Sequence, residues 1–335
     1  MIRFLAIALV AVLTCASPAS AQSTLETVKQ RGKLVCGING QLRGFSWNSG
    51  GAWAGLDVDL CRAVAAATLG DARQVEFVPL TAQERFRELA AGRVDMLARN
   101  STVSLQRLGE GVEAVAINFY DGQGFAVPEK LMIRDVSQLT GAKVCVVRGS
   151  THEANAATWF RARRNHVELV TYDTTDATMD AFVGSRCAAV TADRTALIAE
   201  LVERGRGSTF LVLPHVISRE PLGPYVRRGD GQWAEIVQWT FQAMLKAEVL
   251  DLRRDNVQDE RRSNDPDVKQ LLGITPGNGR ALGIDEDWAY EIIRQVGNYG
   301  ESFERNLGGR SLVKVERGQN ALWRDGGLMY PLPIR

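Results

Sequence analysis

Histidine is almost missing from this chain. Only His152, His166 and His215 occur in 335 residues, too few and too scattered for a multi-histidine metal site. A surplus of one charge is missing as well. The 40 lysines and arginines are balanced by 39 aspartates and glutamates, a formal +1, so nothing in the composition draws the chain to nucleic acid or anionic lipid. Beyond the first residues no apolar run is long enough to span a bilayer, and low-complexity tracts and internal repeats are absent. No G-x-S-x-G elbow occurs. The glycine-rich GNGRALG from Gly277 lacks the preceding strand that a dinucleotide site needs.

What is present begins with an export pattern: Arg3, an apolar run from Phe4 to Leu13, and the small-residue site Ala19-Ser20-Ala21. Residues 1–21 are therefore expected to be a signal peptide and the mature protein to be periplasmic. Lipidation at Cys15 is the weaker alternative, since Thr14 is a poor residue before a lipidated cysteine. Removal of the signal leaves four cysteines, Cys36, Cys61, Cys145 and Cys187, an even number in an exported chain and none spaced as a zinc knuckle or redox motif.

The remaining length suits two domains. KLVCGI at Lys33–Ile38 reads as a strand before a glycine-rich loop, and Val58, Cys61, Val64 and Ala65 recur at helical spacing. Val75–Pro79 is the next strand. Thr81-x-x-Glu84 forms a capping box, with Phe86, Leu89 and Ala90 as the apolar face behind it, and Val94–Ala98 follows as a strand. A second βα cycle runs through KVCVV at Lys143–Val147, a helix from Ser150-x-x-Glu153 to about Arg164, Val167–Tyr172, the helix Asp176–Val183 and Cys187–Thr191. Such alternation predicts an α/β fold with mostly parallel sheet. The extended segment Gly122–Val127 and the stretch Leu211–Val226 predict two crossings, a hinge with a ligand cleft between two lobes. The lobe boundaries expected are 22–125, 126–219 and a return to lobe one over 220–335, starting with an amphipathic helix that carries Trp233, Ile236, Val237 and Phe241.

The stretches GFS (Gly44–Ser46), GLDVDLCRAVAAA (Gly55–Ala67), DGQGF (Asp121–Phe125) and EPLGPYVRRGD (Glu220–Asp230) resemble the binding proteins of polar amino-acid ABC transporters. LLGI (Leu271–Ile274), VGNYGESFERNLG (Val296–Gly308) and ALWRDGGLMYPLPIR (Ala321–Arg335) are similar to the long, general L-amino-acid-binding subfamily. The resemblance implies a two-lobed periplasmic binding protein fold of type II, no cofactor, an L-amino acid as ligand, an inner-membrane ABC permease as partner, and a monomer. The family's D-x(6)-T-x(4)-R motif, counted from Asp95, implies a carboxylate site at Thr102 and Arg107. It also implies a main-chain contact at Asn100 and a second hydroxyl at Ser104. The G-[ST]-T motif falls on Gly149-Ser150-Thr151, and the aspartate seven residues after the arginine of the G-R-x-D pattern falls on Asp193. Asn39, Leu42 and Phe45, after the first strand, stand where relatives touch the ligand side chain.

The chemistry of a zwitterion agrees: Arg107 suits a bidentate pair with a carboxylate, and Asp193 an ammonium. Plainer readings exist for each. Arg107 is a solvated loop charge, Ser150 an N-cap, Thr102 and Ser104 turn residues, Asp193 the cap of the helix Thr195–Val202, Phe45 core. This chain departs from the subfamily at Val103 and Leu108, where tryptophan and aspartate are usual, and at Ala188, in place of the aspartate of G-R-C-D. An enzyme of the cyclohexadienyl dehydratase kind on the same fold is the rival from another class, with Glu84, His152 and Glu153 as acid–base candidates. The glutamates are explained as capping-box residues and His152 as an exposed first-turn residue. A sensory binding protein would use the same site as a transport protein. A hinge that must open forbids bonds between the lobes, so the expected disulfides are Cys36–Cys61, strand to packed helix, and Cys145–Cys187, strand to strand.

Overall fold

A computed structural model describes residues 23–334. The export pattern and Cys15 lie outside the described residues. None of the described helices is long and apolar enough to cross a membrane.

One sheet runs through the molecule in the order Glu168–Tyr172, Lys143–Val147, Ala189–Asp193, Phe119–Pro128, Ser218–Arg227, Met96–Thr102, Leu34–Ile38, Val75–Pro79. The outer strands at each end pair in parallel. The two central strands are antiparallel to each other and to their neighbours. Two separate sheets were expected. Instead Phe119–Pro128 leaves its partner Ser218–Leu222 at Gln123 and continues as the partner of Val190–Asp193, which joins both βα units into one ladder.

Side-chain alternation explains why each unit carries helices on two faces. Phe125, Val127, Val144 and Ala189 pack with Phe160 on one face. Ala126, Cys145 and Val190 pack with Phe182 and Leu197 on the other. In the first unit the main core gathers strand Leu34–Ile38 and helix Leu56–Leu69, with helices Gly231–Val249, Trp288–Gln295 and Tyr299–Asn306 beyond them. The helix Leu56–Leu69 has no side-chain cap. Its first N–H groups go to the loop before it, Leu56 to the Gly44 carbonyl (2.8 Å) and Asp57 to that of Phe45 (2.9 Å). So close an approach requires glycine at 55, where φ is 132° and a Cβ would lie 2.0 Å from the Phe45 oxygen.

Both disulfides are present, Cys36–Cys61 and Cys145–Cys187, with Cα separations of 6.2 and 5.7 Å, each inside one βα unit. Cys187 precedes its strand, which begins at Ala189, because the arginine and cysteine before it still belong to the turn after the helix Thr175–Val183.

The C-terminal extension reaches the crossing. Asn320, buried, accepts from the Tyr120 N–H (2.6 Å) and donates to the Tyr120 carbonyl (3.0 Å), and the Tyr299 hydroxyl donates to the Asn118 carbonyl (2.9 Å). Asn320→Ala would strand both polar groups of Tyr120. Urea titration is expected to show a loss of about 1–3 kcal/mol, the cost of buried groups left unpaired. An unchanged midpoint would mean that the extension does not brace the crossing.

Candidate functional site

The C-terminal ends of the parallel strands meet across a cleft lined by Asn39, Leu42, Arg85, Arg99, Asn100, Thr102 and Arg107 on one wall and Ser150, Thr151, His152, Thr175 and Asp193 on the other. The walls touch. The Thr102 and Thr151 hydroxyls are 3.2 Å apart, Gln83 donates to Asp173 (3.2 Å), and Arg43 pairs with Glu203.

Arg107 sits on a short 3-10 turn, Leu105–Glu110, that follows strand Met96–Thr102. Its guanidinium lies over the Phe86 ring, 4.4 Å from the centroid, and Nη1 is buried with no partner among the described residues. Burial lowers its pKa, against the pull of Tyr225, Glu110 and Glu220, as expected for a desolvated cation. Asn100 takes the left-handed conformation, φ 37°. Its N–H donates to Asp57 (2.8 Å) and its side chain accepts from Asn39 Nδ2 (3.2 Å). Burial pushes Asp57 up to about 7, against the pull of that N–H and of Arg99.

On the opposite wall Ser150 caps helix Thr151–Ala162, accepting from the Glu153 N–H (3.3 Å), while Glu153 takes the N–H of Gly149 (2.8 Å). Asp193 is at the N-cap position of helix Arg194–Glu203 and makes no capping bond. Its Oδ1 meets His152 Nε2 at 2.9 Å instead. His152 is thus not an exposed first-turn residue: its side chain is 12% exposed and faces the cleft. Two more carboxylates complete this end. Asp121, on the crossing strand, is raised to about 7 by burial and by Asp193. Glu220, on the return strand, accepts from Thr102 Oγ1 (2.6 Å), Thr151 Oγ1 (3.1 Å) and Asn155 Nδ2 (2.8 Å), and pairs with Ser218.

His152, Asp193 and Glu220 hold one ligating atom each within 4.8 Å of one another. Both oxygens of Glu220 are already engaged by hydroxyl and amide donors. That leaves a histidine and one carboxylate toward the cleft, which suits an ammonium better than a metal ion, whose ligands must be free to coordinate.

Eight of the ten residues expected from the sequence line this cleft: Asn39, Leu42, Asn100, Thr102, Arg107, Ser150, Thr151 and Asp193. Phe45 does not. It is fully buried and meets Phe119 edge to face with centroids 5.1 Å apart, so it is core. Ser104 lines not the cleft itself but an adjoining groove, beside Gln106 and Glu110, that shares Arg85, Arg107, Ser150 and Thr151 with it, because the strand ends at Thr102 and the chain turns away. Thr102 was expected to offer its proton to a ligand, whereas the structure commits that proton to Glu220.

Arg85, Arg99 and Glu220 were not singled out from the sequence, and His152 was set aside as exposed. Arg99 is fixed by the Leu80 carbonyl (2.8 Å), and burial lowers its pKa to about 10 against the pull of Asp57. Arg85 is 4% exposed, donates to the Ala82 carbonyl (2.6 Å), and has a buried Nε without a partner among the described residues. Burial first, then Arg99 and Arg107, drive its pKa well down. One signal for it was in the sequence: Arg85 stands four residues before Leu89, on the buried side of its helix. The GNGRALG loop has its own occupant, since Glu286 accepts from the N–H groups of Gly277 (2.8 Å), Gly279 (3.1 Å) and Arg280 (3.2 Å).

The family model described as bacterial extracellular solute-binding proteins, family 3, matches residues 34–254. The chain is 40% identical over 329 residues to the general L-amino acid-binding periplasmic protein AapJ of Rhizobium johnstonii, covering 97% of this chain and 96% of that protein. It is 41% identical over 334 residues to the glutamate/glutamine/aspartate/asparagine-binding protein BztA of Rhodobacter capsulatus, covering 97% of each. A solved structure, an ABC transporter periplasmic binding protein from Brucella ovis with glutathione bound, superposes with a TM-score of 0.91 at 43% identity, covering 94% of this chain and 100% of that one.

Proposed function

Because the chain belongs to family 3 of the bacterial extracellular solute-binding proteins, we propose that it captures amino acids in the periplasm between two hinged lobes and hands them to an ABC permease. The observation that carries this reading is the pair of opposed walls: Arg107 with an orphaned guanidinium nitrogen on one, Asp193 free of any capping bond on the other. A zwitterion has one charge for each. We place the hinge where Phe119–Pro128 and Ser218–Arg227 exchange partners, near Gln123 and Glu220. Within the amino acids, the arginines favour a ligand with a second anionic group, since Arg85 and Arg107 have no carboxylate partner in the cleft wall. One relative is named for glutamate and aspartate, which carry such a second anion, as well as for glutamine and asparagine, which do not, and another was solved with glutathione.

His152 beside Asp193 is a feature that an enzyme reading could use. The relatives described above are named for binding, and we read the pair as part of the ammonium site.

A thermal-shift screen over the common amino acids and glutathione tests the proposal. A ligand at about 100 times its Kd adds roughly 2.7 kcal/mol to native stability. L-Glutamate and L-aspartate are expected to give the largest rises, with smaller ones for neutral amino acids. A flat response to all of them would remove the reading.

A further inference from the structure

We propose that His152 is a proton-linked competitor for the ligand's ammonium, so that occupation of the cleft expels a proton and affinity rises with pH. This rests on the amino-acid reading above and on Asp193 as the ammonium site. Asp193 lines the cleft, and the His152 Nε2 already stands at 2.9 Å on its Oδ1, one of the two oxygens an ammonium would meet. An incoming ammonium must take that oxygen or crowd beside it, and an imidazolium left within contact of an ammonium is a like-charge pair in a site with little water.

The acidic groups that face His152 come from three strands. Asp193 ends the strand Ala189–Asp193, Asp121 lies on the crossing strand, and Glu220 on the return strand. On its own helix Glu153 is turned away, to the N–H of Gly149. The cleft arginines Arg85, Arg99 and Arg107 stand on the opposite wall. Burial by itself lowers the His152 pKa, but Asp193, Glu220 and Asp121 together outweigh it and leave it above 6.5. The imidazolium form therefore persists in the free protein to a higher pH than for an ordinary histidine. Neutralising Asp193 with a ligand ammonium removes the main attraction, so the pKa falls on binding and a proton leaves. The sign follows. The free protein gains from protonation below the His152 pKa, the complex does not, and ligand binding weakens as pH falls through that value.

Asp121 could also release a proton, since an ammonium near Asp193 favours its ionised form. The two sources are separated by substitution. Calorimetry of L-glutamate binding from pH 5.5 to 8.5, in buffers of different ionisation enthalpy, counts the protons released. For the wild type we expect release of a large part of one proton at pH 6, and an affinity that climbs by up to about tenfold per pH unit before levelling above the His152 pKa. His152→Gln keeps an amide donor for Asp193 but cannot titrate. It should bind L-glutamate at pH 6 more tightly than the wild type, with the slope largely removed. A wild-type affinity independent of pH overturns the proposal. A slope retained in His152→Gln overturns it too, and assigns the proton to Asp121. If none of the amino acids binds at any pH, the amino-acid reading and this inference fall together, whereas binding without proton release removes this inference alone.

Discussion

Arg107→Ala and Asp193→Ala are each expected to weaken every amino-acid ligand by about 2–5 kcal/mol, the usual cost of removing one partner of a desolvated charge pair, at least tenfold in affinity. The ligands should lose comparable factors, because the two residues meet groups that all α-amino acids share. Arg107 is held for this role by its stack on Phe86 and by a short turn at the end of a core strand. Asp193 is held at the end of a strand whose partner is the crossing strand itself, through the pair Asp193–Gln123. A ligand between them therefore ties one wall to the hinge. Leu42, which is buried in the cleft wall and has no polar atoms on its side chain, differs in kind. Enlarging or shrinking it should reorder preferences among ligands without abolishing binding. Calorimetry with three or four amino acids decides the matter. Either clamp variant, correctly folded and binding within about threefold of the wild type, less than 1 kcal/mol, would show that the clamp is misassigned.

The placement of Arg107 and Asp193 in the cleft was legible because motif spacing carries a residue's position even when its surroundings are unknown. Cys36–Cys61 was legible because a cysteine on a strand and one on the apolar face of the next helix have few places to go, and Cys145–Cys187 because a bond between the lobes would lock the hinge. The single continuous sheet was not, since partner exchange at Gln123 leaves no mark in the alternation of apolar residues along the crossing strand. Phe45 shows a related blindness: an aromatic in a loop after a strand reads equally as pocket or core, and only the packing on Phe119 decides. His152 was discounted by position, as first-turn residues of a capped helix usually face water. Here the helix N-terminus points into the cleft and brings Thr151 and His152 to its wall, while the fully buried positions of the helix are Ala156 and Phe160. Glu220 was visible as part of a matching stretch, but its surroundings depend on three partners from two distant segments, with Ser218 on its own strand.

Arg85→Met is expected to move stability and affinity in opposite directions. In the unliganded protein Arg85 is a buried cation with no acidic partner, flanked by two further guanidiniums, and its only protein acceptor is the Ala82 carbonyl. Taking a charge out of water without a counter-ion is costly, and an apolar side chain of similar volume in place of buried ionic groups is often neutral or stabilising by about 1–4 kcal/mol. Methionine keeps the contact with Phe86 that the guanidinium makes at 4.6 Å, because a thioether also packs well on an aromatic ring. Urea unfolding of the unliganded variant should therefore show equal or greater stability than the wild type. L-Glutamate, if its side-chain carboxylate answers Arg85, should lose about 2–5 kcal/mol of binding, while L-glutamine, which has the same length and no second charge, should lose less than about 1 kcal/mol. A residue that merely supported the fold would behave in the reverse way, with stability falling and both ligands weakened alike. That outcome would assign Arg85 to the scaffold and leave the second anion of the ligand to Arg99, whose guanidinium already leans on Asp57 and the Leu80 carbonyl and has less charge to offer.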